Sequence, residues 1–120
     1  MKRSRHHIRL ALAAAVVALA ATLPAAAAVP KLTGTVGPGA TIVLKQGTKN
    51  VAAVKAGKYA LVVNDRSRFH NFRLKGPGVN VATTVAATGT RTFRVTLRKG
   101  TYTLLCDPHR STMKRTLTVR

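Results

Sequence analysis

The chain has 120 residues, with 21 Lys+Arg against 2 Asp+Glu, one Cys, four His and no Trp. That length allows one ordinary domain, or a small domain behind a targeting segment. A hydrophobic content of 46% argues against disorder, and a single Cys excludes both an intramolecular disulfide and a multi-Cys zinc site. Glu is absent and only Asp65 and Asp107 are acidic, which excludes most chemistry built on paired carboxylates.

Met1–Arg9 carries four basic residues and no acid, Leu10–Leu23 is uncharged and apolar, and small residues follow Pro24. A positive start, a short apolar run and an Ala-x-Ala end predict a secretory signal over residues 1–28, cut between Ala28 and Val29. The alternative is an N-terminal membrane anchor. Against it, the Ala-rich run breaks at Pro24, short of the ~20 strongly apolar residues a span needs. Residues 29–120 then form the working domain. They retain 17 Lys+Arg against 2 acids, a net charge of +15, and only two His (His70, His109), one Cys (Cys106) and one Met (Met113).

From Lys31 onward, short runs of Val, Thr, Ile and Phe alternate with Gly, Pro and Asn, which is a strand signature. Strands are predicted at 31–36, 40–45, 51–54, 58–63, 69–74, 91–98, 101–106 and 115–120. Period-2 alternation puts Phe93, Val95 and Leu97 on one face, and likewise Tyr102, Leu104 and Cys106. His70, Phe72 and Leu74 share an inward face, with Asn71, Arg73 and Lys75 opposite. Residues 79–90 are left as an irregular crossover or a short helical turn. Seven or eight short strands at this spacing predict an all-β, antiparallel Greek-key sandwich.

The four scarce residues fall into one arrangement. Cys106 closes a predicted strand, His109 and Met113 lie in the loop that follows, and His70 sits on an inward strand face. Taken singly, each has an ordinary structural explanation: a hydrogen-bonded core His, a buried Cys acting as a small hydrophobe, a Met as filler. Together, a thiolate, two imidazoles and a weaker thioether form the donor set of a blue-copper centre. Thiolate and thioether suit Cu(I), while imidazole accepts both oxidation states, so such a site changes little when one electron passes. Zinc suits the set less well, because structural zinc sites favour four Cys/His ligands.

Residues 69–72 (Phe-His-Asn-Phe) and 106–113 (Cys-Asp-Pro-His-Arg-Ser-Thr-Met) resemble the corresponding segments of the cupredoxins, especially plastocyanin, pseudoazurin and amicyanin. The resemblance implies one copper ion per chain, held by His70, Cys106, His109 and Met113. It implies that Asn71 braces the ligand loop by hydrogen bonding, with Pro108 beside it outside the ligand set. It also implies that electrons pass through the exposed edge of His109. Three residues separate His109 from Met113, where plastocyanin-like loops have four and amicyanin-like loops two.

The positive charge first suggests a nucleic-acid binder. The basic residues are spread over turns and outward strand faces, however, and only five aromatics are present to stack on bases. The expected protein is therefore a monomeric, periplasmic or extracellular electron carrier with no bond chemistry of its own. Its expected partner is a redox protein, acidic in character, and its charge also suits an anionic membrane or cell-envelope surface. Apolar loop tips at Pro38 and Pro77 are expected to frame the electron port. The alternative from the same ligands is copper storage, delivery or resistance in the cell envelope without electron transfer.

Overall fold

The computed structural model describes residues 11–22 and 28–120. The basic start of the predicted signal and its Pro24–Ala27 segment lie outside the described residues. Residues 11–22 carry no regular secondary structure, and Leu12, Val16, Val17 and Leu19 are exposed. Among the described residues, no helix is long and apolar enough to cross a membrane.

The described residues form ten strands, the longer ones from alternating apolar residues: β1 Lys31–Val36, β2 Ile42–Gln46, β3 Lys49–Asn50, β4 Ala53–Val54, β5 Gly57–Asp65, β6 Arg73–Gly76, β7 Val79–Ala82, β8 Gly89–Leu97, β9 Gly100–Leu105 and β10 Lys114–Val119. They form two five-stranded sheets, ordered β3-β2-β1-β5-β8 and β4-β10-β9-β6-β7. Every second residue turns inward, so Leu32, Leu61, Val63 and Leu97 of the first sheet are buried with Leu74, Tyr102, Leu104 and Leu117 of the second. The all-β sandwich is the expected one, with ten strands where seven or eight were anticipated.

The extra strands have local causes. Of the run expected at 51–54 only β4 is strand, and β3 forms just before it, because the chain changes sheets between them. The Val51 amide still donates to Leu44 O at 3.0 Å, whereas Ala52 O already accepts from the Thr118 amide at 2.9 Å. Residues 79–82, left undecided by their composition, pair with β6 as an edge strand. Two pairings are parallel, β1 with β5 and β10 with β4, so the sheets are mixed rather than wholly antiparallel.

Strand direction then fixes the two ends of the sandwich. β1 and β5 run side by side and finish together, with Val36 opposite Asp65. β9 finishes, and β6 and β10 begin, at that same end, where Arg73 and Lys114 both lie opposite Leu105. The loops 37–41, 66–72 and 106–113 therefore gather at one end. Pro38 belongs to it, because the Gly37 turn packs on Ser67. Pro77 does not: β6 carries it to the opposite end, where its ring packs on Gly100. The expectation that both prolines frame one port is corrected on this point.

Two close approaches lock the frame. The Phe72 ring lies against the Gly34 backbone of β1, where a Cβ would sit 2.6 Å from the ring carbons Cε2 and Cζ. At the far end the Tyr102 hydroxyl accepts from the Arg98 amide at 3.1 Å and donates to the Arg98 carbonyl at 2.9 Å, tying the β8–β9 turn to the core.

Candidate metal centre

Cys106 follows β9 with extended backbone angles and starts the 3-10 turn Asp107–His109. Pro108 sits at the start of that turn, where its fixed φ suits the helical conformation and its missing N–H costs nothing. The loop then closes on itself. The His109 amide donates to Cys106 O (3.1 Å), the Met113 amide to His109 O (2.8 Å), and the Cys106 amide to Met113 O (3.1 Å). Met113 ends the loop and is 2% exposed, within the hydrophobic core.

His70 reaches the same place from the loop before β6. The strand expected at 69–74 begins only at Arg73, because the preceding backbone amides bond to side chains instead of a ladder. The Asn71 amide donates to Cys106 Sγ at 3.4 Å, and the Phe72 amide donates to Thr83 Oγ1 at 2.9 Å. His70, Phe72 and Leu74 are buried as the alternation predicts, but Asn71 is buried too, at 1% exposure, instead of facing out.

These elements bring three donor atoms together. His70 Nδ1 and His109 Nδ1 are 3.1 Å apart, and Cys106 Sγ lies 3.7 Å from the first and 3.6 Å from the second. A point equidistant from all three, in their plane, lies about 2.0 Å from each, which matches first-row metal–nitrogen bonds and falls a little short of metal–thiolate bonds. A proton shared between the imidazoles would satisfy two of these atoms, whereas one cation satisfies all three. His70 and Cys106 are buried, and His109 is exposed.

The surrounding hydrogen bonds hold the triangle. Asn71 Oδ1 accepts from the Asp107 amide at 2.7 Å, and Asn71 Nδ2 donates to Asp107 Oδ2 at 2.8 Å and to Thr83 O at 3.1 Å. Arg73 grips the Asp107 carboxylate through two bonds, Nε to Oδ1 at 2.6 Å and Nη2 to Oδ2 at 2.8 Å. Hydrogen bonding from Arg73, with a further bond from Asn71, lowers the Asp107 pKa despite partial burial, and the same pair raises that of Arg73. On the other side, buried Asp65 accepts from the Thr83 hydroxyl at 2.9 Å and from the Ser67 amide at 3.1 Å. Both acids of the chain are thus used around the ligand loops. Sequence reasoning missed this role for Asp65, Asp107, Arg73 and Thr83. The signal was available, because the acids are as scarce as the Cys and His.

A two-sheet sandwich carrying two imidazoles and a thiolate at this spacing, with a methionine ending the same loop, is a cupredoxin. Residues 35–120 match the family described as copper binding proteins, plastocyanin/azurin family, and the chain belongs to that family. The donor cluster fits one copper ion per chain. No curated protein matches the chain. Among solved structures, reduced rusticyanin aligns with a TM-score of 0.55 and 17% identity over 75% of this chain and 78% of that one. Rusticyanin from Thiobacillus ferrooxidans aligns with a TM-score of 0.52 and 17% identity, over 75% and 76% of the two chains. At such identity the likeness concerns the fold.

Proposed function

We propose that this protein is an exported type 1 copper protein that carries single electrons, with His70, Cys106, His109 and Met113 as the copper ligands. The observation that carries the reading is the triangle of two imidazole nitrogens and one sulfur at 3.1, 3.6 and 3.7 Å. Copper in such a site supplies a one-electron couple between Cu(I) and Cu(II).

The chain's own part is to hold the donors and exclude water. Asn71 and the Arg73–Asp107 pair fix the start of the ligand loop, so the donors need little rearrangement when the charge at their centre changes. Burial of Cys106 and His70 keeps solvent from the thiolate side, and the exposed His109 ring offers the route outward. Around that route stand Phe69, 78% exposed, and Pro38, with exposed Arg66, Arg68 and Arg110 on the neighbouring loops. An apolar contact ringed by cations suits brief docking to an acidic redox partner, and the net charge of residues 29–120 extends the same attraction to longer range. Residues 1–28 act as the export signal in this reading, which places the carrier outside the cytoplasm.

The test is to add Cu(II) to the purified protein and record its visible and EPR spectra. An intense thiolate-to-copper band that disappears in Cys106→Ser supports the assignment. Absence of colour in the intact protein refutes it.

A further inference from the structure

We propose that the outer face of the second sheet, beside the ligand loop, carries a binding site for a free tetrahedral oxyanion of the phosphate and sulfate class. A concavity of about 570 Å³ opens there, with Arg73, Lys75, Arg110 and Lys114 on its walls. Strand register places them together. Leu105 of β9 lies between Arg73 of β6 and Lys114 of β10, and Lys75 follows two residues after Arg73, opposite Thr103. Neighbouring strands are ~4.8 Å apart and same-face residues on one strand ~7 Å, so these cations repel one another unless an anion stands among them.

The protein has no such anion to give. Asp107 is the one acid on the walls, and Arg73 already grips it through both carboxylate oxygens. The other acid of the chain, Asp65, is buried and bound to Ser67 and Thr83. No aspartate or glutamate therefore forms an ion pair with Lys75, Arg110 or Lys114, although Asp107 attracts Arg110 at longer range. Two uncharged groups on the same walls can donate alongside them. Thr103 contributes a hydroxyl, and Asn80, whose Oδ1 accepts from Arg73 Nη1 at 2.7 Å, has its amide N–H groups left to give. Three unmatched cations and neutral donors around one concavity favour a compact dianion with several oxygens over a halide, because each oxygen takes its own charge-assisted hydrogen bond. The walls hang from β6, β9 and β10 and the turn after Cys106, so the site is independent of which metal, if any, the His and Cys residues hold.

Titration of the purified protein, metal-free and copper-loaded, with sodium phosphate tests the site, with sodium chloride at matched ionic strength as reference. Calorimetry should show saturable phosphate binding in both forms. The Lys75→Ala/Lys114→Ala variant should bind at least about tenfold more weakly, a loss of ~1.4 kcal/mol. Lys31→Ala/Lys58→Ala removes the same charge from the first sheet and should stay within about twofold of the parent. Loss of binding in both variants alike would reveal only the overall positive field and overturn the proposal. So would the lack of any saturable phosphate signal above the chloride reference. Neither result bears on the copper assignment, which the visible spectrum tests separately.

Discussion

Replacing Asn71 with Ala asks whether the donor triangle is held by the protein before any metal arrives. The side chain is 1% exposed and makes three hydrogen bonds, one with the Asp107 amide, one with its carboxylate and one with the Thr83 carbonyl. Removing it takes the partners from a main-chain donor at half-buried Asp107 and a main-chain acceptor at buried Thr83, and takes one donor from a charged carboxylate. Each stranded neutral group costs about 1–3 kcal/mol, and the bond to a charged group contributes about 1.5–3 kcal/mol. With partial relaxation we expect a loss of about 3–4 kcal/mol, a large share of the ~5–15 kcal/mol that stabilises a domain of ordinary size. Urea unfolding of the metal-free protein at neutral pH measures it. With a slope of ~1 kcal/mol per molar, the midpoint should fall by about 3 M, or the variant should fail to fold without metal. Copper affinity should fall by about 10–100-fold, as for other residues that orient ligands. A stability loss below about 1 kcal/mol would refute the reasoning, since it would mean that the loop keeps its shape without this side chain.

Three further outcomes follow from the same contacts. Because Arg73 lowers the Asp107 pKa, the stability this carboxylate contributes is complete above the unfolded value of ~4 and is lost as pH falls through the lower folded value. Asp107→Asn should therefore be less stable than the parent at neutral pH, the two unfolding curves converging in acid, and a gap unchanged down to pH ~2 would contradict this. Gly34→Ala puts a methyl 2.6 Å from the Phe72 ring and should cost about 1–3 kcal/mol by thermal or urea unfolding, with Phe72→Leu in the same chain recovering part of it. On the proposed ligand set, Met113→Leu keeps the core nearly filled and removes the thioether. Copper should stay bound while voltammetry shows a higher potential, because losing a donor and gaining hydrocarbon both disfavour Cu(II). An unchanged potential would remove Met113 from the set.

Most of the sandwich was legible because its long strands obey period-2 burial. β1 falls on the predicted 31–36, and Tyr102, Leu104 and Cys106 share the inward face that alternation assigns them. What escaped depends on partners distant in sequence. Nothing local in residues 49–54 says that the chain changes sheets between Asn50 and Ala53, and nothing in β1 says that its second neighbour is parallel β5. The segment 69–72 alternates like a strand because Phe72 must reach the core. Its amide hydrogens nevertheless go to Cys106 Sγ and Thr83 Oγ1, acceptors 35 and 11 residues away. Of the candidate centre, scarcity picked out the residues that converge. The Arg73–Asp107 grip stayed hidden because the two residues come together only after the second sheet has formed.

The placement of both acids also bears on how the molecule responds to its medium. With Asp65 and Asp107 committed around the ligand loops, every other ionised side chain of residues 29–120 is positive, and folding compresses these charges into mutual repulsion. Most proteins carry opposing surface pairs that salt weakens. This one has little of that attraction to lose and much repulsion to relieve. Added electrolyte should therefore raise its melting temperature while slowing its encounter with an acidic partner of the kind proposed, so that the conditions that best preserve the fold are those in which such docking is rarest.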